Sequence, residues 1–241
     1  MNRVIYRIHY GFEFIYESIK SIHSWADEIV VSVSKEPWYK EKTVKYLGID
    51  TTIVHPENIK YHIENLQYIP KVSVYEKEFD TPKNQWGYLI NKFSTDYVLT
   101  MEPDMVFPSE ESIDWISDKP QVIFNKQIEY WRNEFWRIPQ RNRPGPVLYK
   151  NPKDVVTGFS NNSGNIPSIN SPHGTLNYGF CFSPELMLYK HLLALGFSKQ
   201  IGDSVPSETW YKDKWLNWTP NTINLEISAK HTHAIKKAIP I

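Results

Sequence analysis

Apolar residues in this chain alternate at first and then recur at every third or fourth position. Residues 3–9 alternate around Val4, Ile5 and Ile8 and predict a strand that Tyr10-Gly11 breaks. Phe12, Ile15, Ile19, Ile22 and Trp25 follow at helical spacing, with Glu13, Glu17 and Lys20 off that stripe, and predict a helix over 12–25. The apolar run 29–33 reads as a second strand. Strand, helix and strand within about 35 residues match the size of a right-handed βαβ unit. A short helix over 39–47, closed by Gly48 as its C-cap, and a third strand over 51–55 come next. An irregular or helical connection fills 56–70, and 71–75 forms a small strand. Asp80-Thr81-Pro82 carries a helix start, with a capping side chain before a first-turn proline, and this helix runs to about Phe93. Tyr97 to Met101 is the mostly apolar run of a buried parallel strand, ended by Glu102-Pro103-Asp104. Ser109, Glu110, Glu111 and Ser112 then open a further capped helix that buries Ile113, Trp115 and Ile116.

Beyond this point the pattern changes. Strands are predicted over 121–124, 128–136, 146–149 and 223–227, and helices over 184–195, ending at Gly196, and over 207–216, capped by Ser207 or Asp203. Residues 151–172 are rich in Asn, Ser, Gly and Pro, and a loop of that length is functional or disordered. The alternation of the first half predicts an α/β domain with a mostly parallel sheet. No linker divides the chain, which reads as one domain with a first half over 1–107 and a second, mixed half over 108–241.

Charge and composition narrow the partners. Lys plus Arg and Asp plus Glu number 27 each over 241 residues, so no basic surplus favours nucleic acid. The single cysteine, Cys181, excludes an internal disulfide framework and sits in an apolar setting that suits a buried structural thiol. No apolar run is long enough to span a bilayer and the first residues show no signal-peptide pattern, so a soluble protein of the cytoplasm is expected. The sequons at Asn161 and Asn217 read as chance matches. Aromatic content is high at 15%, with nine Trp and fifteen Tyr, which serve a core or the flat stacking surfaces of a sugar cleft.

Glycine-rich dinucleotide and phosphate loops, zinc-protease helices and serine-hydrolase elbows are all missing. What remains is the carboxylate pair Glu102 and Asp104 at the carboxyl end of a strand, where open α/β sheets bind ligands. Two readings are open: a solvated acidic turn, or a site for a hard cation such as Mg²⁺ or Mn²⁺ that shares its coordination with phosphate oxygens.

Taken in order, these features resemble the GT-A fold glycosyltransferases, close to the family 2-like group. Ile15 to Ile22 followed by Ala26-Asp27-Glu28-Ile29-Val30-Val31 resembles the first helix and second strand. Thr95 to Leu99 with Glu102-Pro103-Asp104 resembles the strand and its acidic D-x-D motif, and Leu195-Gly196-Phe197 with Ser207 to Trp210 resembles the late "G-G-F … E-D" region. The chain departs from the family where Ser32 to Lys35 stand in place of a base-reading Asp, and where Tyr10-Gly11, with Glu13 nearby, replaces Asn-Glu.

The resemblance implies a GT-A, Rossmann-like sheet flanked by helices with a smaller acceptor-side half. It also implies a metal-dependent transferase of the hexosyl-transferring type, moving a sugar from a nucleotide-diphosphate donor to a glycan or other hydroxyl acceptor. His9, Tyr10, Gly11, Ser34, Lys35, Gln85, Trp86, Glu102 and Asp104 would hold the donor, with Mn²⁺ or Mg²⁺ on Glu102, Asp104 and His231 or His233. Glu208 is the candidate base and Asp203 the second, each equally readable as a helix cap. Trp131, Trp136, His173, Tyr178 and the 151–172 loop are expected at the acceptor. Against this stand a catalytically silent carbohydrate-binding module of the same fold and, behind it, a metal-dependent hydrolase.

Overall fold

In a computed structural model, residues 1–109, 112, 120–139, 141–142, 145–157, 161–222 and 226–227 are described. Through the first half the elements run β1 (Asn2–Ile8), α1 (Phe12–Ile22), β2 (Glu28–Val33), β3 (Thr43–Tyr46), β4 (Ile49–Thr52), α2 (Ile59–Leu66), β5 (Val72–Glu76), α3 (Pro82–Lys92) and β6 (Tyr97–Met101). Then follow β7 (Met105–Val106), β8 (Gln121–Ile123), β9 (Lys126–Trp131), β10 (Asn133–Arg137), β11 (Arg141–Asn142), β12 (Val147–Lys150) and β13 (Ser168–Asn170). The chain continues through β14 (Gly174–Phe180), α4 (Pro184–Ile201), a π-helical turn (Tyr211–Leu216) and β15 (Glu226–Ile227).

A seven-stranded sheet in the order β13-β8-β12-β6-β1-β2-β5 forms the frame, parallel except on the two sides of β12. This is the mostly parallel, helix-flanked architecture expected. The apolar stripe of α1 (Phe12, Ile15, Ile19, Ile22) and α2 (Ile63, Leu66) covers one face through Val4, Tyr6 and Ile8. Helix α3 covers the other face, packing Trp86, Leu89 and Ile90 on Ile5 and Val98. Its start follows the sequence: Thr81 accepts a hydrogen bond from the Asn84 amide at 3.1 Å, ahead of Pro82. The second half builds another sheet, β15-β10-β9-β14-β7 with β11 on β9, packed against α4. β7 pairs with β14 directly after β6, so the chain crosses between the sheets at Glu102-Pro103-Asp104.

Several expectations need correcting. Residues 39–47 form no helix: β3 and β4 are a hairpin, turned by Leu47 and Gly48 with φ of 50° and 80°. Two consecutive positive φ values make the tight turn that matches strand twist, and Val44 buried between exposed Thr43 and Lys45 shows the two-residue period. Gly196 does not end its helix; α4 runs on to Ile201, and Gly202, at φ 69°, closes it. Gly196 instead makes room for a ring, since a Cβ there would lie 2.5 Å from Tyr39. The expected strand 128–136 splits into β9 and β10 at Arg132, whose φ is 65° and whose amide donates to the Phe180 carbonyl at 3.2 Å. Strand β14, over residues the pattern left without an element, depends on Gly174 because a Cβ there would sit 1.5 Å from the Lys126 carbonyl oxygen. The helix expected from Ser109 onward falls largely outside the described residues, as does most of the strand over 223–227. Among the described residues, no helix is long and apolar enough to cross a membrane.

Gly196→Ala should destabilise the protein. Overpacking costs about 1–3 kcal/mol, more than the roughly 1 kcal/mol that alanine gains in a helix interior. Urea unfolding should show the loss, and Tyr39→Leu on the same chain should recover most of it; equal midpoints for wild type and Gly196→Ala would refute the contact.

Candidate functional site

The crossing from β6 to β7 is a tight turn in which the Met105 amide donates to the Glu102 carbonyl at 3.2 Å. The Asp104 carbonyl accepts from the Tyr178 amide of β14 at 2.8 Å, which ties the turn to the second sheet. Both carboxylates therefore open into a cleft of about 230 Å³ above the carboxyl ends of β1 and β6. Its walls include Arg7 and His9 from β1 and the turn after it, Trp38 from the loop after β2, Asn177 of β14, and Phe182.

Arg7 is the residue the sequence reading passed over. β1 and β6 pair in parallel with Tyr6 beside Met101, so the next residues along the two strands are Arg7 and Glu102. Their side chains form an ion pair through Nη2 and Oε1, with 13% and 26% of each side chain exposed. The guanidinium contacts two indoles, with its Cζ 5.0 Å from the Trp38 ring centre and 4.8 Å from that of Trp86. Each such contact is worth about 0.5–2 kcal/mol, and together they hold the charge in one place. A charged residue in a central parallel strand, which is normally apolar on both faces, was the signal available in the sequence.

Asp104 has its own cation. Lys190 of α4 attracts it, while the ammonium donates to the Gly179 carbonyl at 2.7 Å. Gly179 is what lets the groups approach, since a Cβ there would lie 2.7 Å from Asp104 Oδ2 and 3.2 Å from Lys190 Nζ. Burial pushes the Glu102 carboxyl up against the pull of Arg7, and the charge of Asp104 pushes it further. Burial likewise raises Asp104, opposed by Lys190 and then Arg7. Such a pair has a remaining appetite for positive charge.

Two side chains that line this cleft carry buried polar atoms with no hydrogen-bond partner, Arg7 Nη1 and Trp38 Nε1. So do Ser32 Oγ, opposite Arg7 on β2, and both amide atoms of Gln85, next to Trp86 on α3. An unpaired buried polar atom costs about 1–3 kcal/mol, so their grouping calls for an explanation.

His9 is buried, donates from Nδ1 to the Ser34 carbonyl at 2.8 Å and accepts at Nε2 from the Tyr189 hydroxyl at 2.6 Å. Burial pushes its pKa down to about 4, so the ring is neutral at neutral pH. Tyr10 lines the cleft, and its phenol is raised by burial and then by Asp104 and Glu102. Gly11, at φ 91°, turns the chain into α1; a Cβ there would meet the Phe182 ring at 3.1 Å. Glu57 holds this turn, accepting from the Gly11 amide at 2.8 Å and the Glu13 amide at 3.3 Å. Burial, assisted by the charge of Glu13, raises the Glu57 pKa to about 7.

The remaining expected residues fall elsewhere. Ser34 and Lys35 close on Glu78, which accepts from Ser34 Oγ at 2.7 Å and from the Lys35 amide at 2.9 Å. The Lys35 ammonium pairs with Glu76. Gln85 and Trp86 lie on α3, with Trp86 reaching the site through Arg7. Glu208 accepts from the Leu47 amide at 2.8 Å, and Asp203 is exposed and accepts from its neighbour's amide, the Ser204 N–H, at 2.7 Å. Neither lines the cleft. Trp131 and Tyr178 are core residues, Trp136 packs on Trp218, and His173 is half-buried outside the cleft lining. Described residues of the 151–172 segment are anchored to the sheet. Asn161 donates to Thr100 Oγ1 at 2.7 Å, and Gln121 accepts from the Ser163 amide at 2.9 Å. Cys181 is free and buried, as expected. His231 and His233 lie outside the described residues, and among the described ones no three His, Cys, Asp or Glu side chains gather as a metal site.

No protein-family model matches the sequence, and no curated protein is significantly similar to it. Solved structures are similar in fold at low identity. The mannosyltransferase PcManGT from Pyrobaculum calidifontis, in complex with GDP-Man and Mn²⁺, is 13% identical; the match covers 87% of this chain and 66% of that one, with a TM-score of 0.44. HddC from Yersinia pseudotuberculosis, complexed with GMP-PN, is 10% identical over 80% of this chain and 98% of that one, with a TM-score of 0.42. S. aureus TarS 1-349 is 12% identical over 90% and 71%, with a TM-score of 0.41. Likeness this weak decides neither activity nor ligand.

Glu57→Gln should change how stability depends on pH. Ionising Glu57 costs folded-state stability as pH rises from its ordinary value of 4.5 through about 7. The variant escapes that cost, so its stability relative to wild type should climb through this window and level off above it. Chemical denaturation at a series of pH values measures the difference; a flat difference would refute the assignment.

Proposed function

We propose that this protein is a nucleotide-sugar-dependent glycosyltransferase acting at the Glu102–Asp104 cleft. The observation that carries the reading is the pair itself: two carboxylates at the carboxyl end of a parallel sheet, in the cleft where the chain passes to a second sheet. Ligands of open α/β sheets bind at such strand ends. A sugar leaving group of the diphosphate type needs developing negative charge stabilised on its phosphoryl oxygens.

The donor set fits a hard divalent cation such as Mg²⁺ or Mn²⁺, which takes one or two carboxylates and keeps its other positions for water and phosphate oxygens. Asp104 would be the principal ligand and Glu102, shared with Arg7, the second. When bound, the ion would supply Lewis-acid stabilisation of the departing diphosphate. The chain's own residues do the rest. Gly179 gives Asp104 its room, Lys190 and Arg7 oppose the rise that burial imposes on both carboxyls, and neutral His9 with Tyr10 forms the wall at the end of β1. The proposal assigns no step to Glu208 or Asp203.

Calorimetric titration with a panel of nucleoside diphosphates is the test. At least one should bind about tenfold or more tightly with Mn²⁺ than with EDTA, a gap of roughly 1.4 kcal/mol. Asp104→Asn should erase that gap. Binding of none of them, with or without metal, would overturn the reading. Glycan binding that survives Asp104→Asn and EDTA, without donor hydrolysis, would replace it with a silent carbohydrate-binding module.

A further inference from the structure

We propose that Arg7 is the fixed anion anchor of this cleft, holding a phosphate-type ligand by its own charge whether or not a divalent cation is present. The inference rests on the transferase reading for the identity of the natural ligand, but its observations are separate from those of the carboxylate pair.

The guanidinium is committed on one side only. Its Nη2 pairs with Glu102, its Cζ lies over the rings of both Trp38 and Trp86, and its Nη1 has no partner. Arg7 also lines the cleft, so this unused arm belongs to a group that borders the ligand space. The other unpartnered atoms nearby are mainly donors. Ser32 sits opposite Arg7 in the β1–β2 register and offers a hydroxyl. Trp38, stacked on Arg7, offers an indole N–H. Gln85, fully buried next to Trp86, offers its amide. All four groups, Arg7, Ser32, Trp38 and Gln85, present N–H or O–H with nothing to receive it, and Gln85 adds one unpaired acceptor.

An arrangement of donors around one immobilised positive charge suits a ligand that brings only acceptors and negative charge. A phosphoryl group meets that description. A neutral sugar hydroxyl would satisfy single donors and leave the charge of Arg7 shared with Glu102 alone. Arginine fits the position better than lysine because its planar fork can bond Glu102 with one nitrogen and the anion with another while it keeps its contacts with the two indoles. Glu102 thereby has two parts to play, orienting Arg7 and tempering its charge.

The test is calorimetry on the full chain with inorganic pyrophosphate and with the nucleoside diphosphate panel, in EDTA and in Mn²⁺. Wild type should bind pyrophosphate in EDTA, and Arg7→Gln should weaken that binding tenfold or more. Glu102→Gln, which keeps the shape but removes the competing charge, should tighten it severalfold in EDTA. Circular dichroism establishes whether Arg7→Gln is folded; if it is not, Glu102→Gln decides, and unchanged or weaker binding by that variant overturns the anchor. Binding confined to Mn²⁺, or a folded Arg7→Gln that binds as wild type does, also overturns it and leaves the transferase reading standing. Pyrophosphate bound through Arg7 with no nucleoside diphosphate bound supports the anchor and removes the transferase. Binding of nothing under any condition removes both.

Discussion

The structure depends on keeping two negative charges close together where one sheet hands the chain to another. Glu102 and Asp104 flank a proline that cannot continue the ladder of β6, and the backbone after them is captured by β14 through the Asp104 carbonyl. Left alone, such a pair would shift toward protonation in a partly buried turn, and burial does raise both. Arg7 and Lys190 answer that cost from opposite sides, one from the first sheet and one from α4. Removing either partner of a buried ion pair is generally worse than never having built it. The cleft thus ties the sheets together electrostatically as well as by backbone bonds.

The wall beside the carboxylates is organised around neutrality. The Glu57 amide donates to His55 Nδ1 at 3.1 Å, His55 Nε2 donates to the His9 carbonyl at 2.8 Å, and His9 Nδ1 donates to Ser34. Each ring uses one nitrogen as donor and the other as acceptor, the pattern of a neutral imidazole. Burial lowers the pKa of both rings, in agreement with those roles. The strap from residue 55 to 57 therefore fixes the turn at Tyr10-Gly11 without adding positive charge, and among the described residues Arg7 is the cation in the cleft lining, with Lys190 acting on Asp104 from α4.

How far this was legible in the sequence depended on whether the signal was local. The α1 stripe, the Thr81 cap before Pro82 and the apolar run of β6 each declare themselves within a few residues, and each element is where the pattern puts it. The carboxylate pair was legible for the same reason. The β3–β4 hairpin was not, because helical spacing and a two-residue period are hard to separate over four residues. Gly174 and Gly179 resemble chain breakers until β9 and Asp104 are seen pressing on them. Arg7 acquires its meaning from Trp38, Trp86 and Glu102, at least 31 residues away along the chain. The Glu208 and Asp203 positions carried capping and base readings at once, and the structure uses the Glu208 carboxylate to accept from Leu47 at the hairpin turn.

The aromatic surplus finds its explanation in these same contacts. Trp86, Trp131 and Trp215 are buried in the core, as most aromatics are, yet two of them also carry a charge on one face. Arg7 stacks on Trp86, and Arg132 lies 4.1 Å from the ring centre of Trp215. Lys190 lies 5.0 Å from the ring centre of Phe182 and 5.4 Å from that of Phe180. A cation withdrawn from water must recover its solvation elsewhere, and an aromatic face supplies part of it without bringing a negative charge. Carboxylates in those places would have cancelled the cations outright. Rings hold Arg7 and Lys190 in position while leaving their charge free to act on Glu102 and Asp104, so in this chain part of the aromatic content follows from the electrostatics of the site as well as from the size of the core.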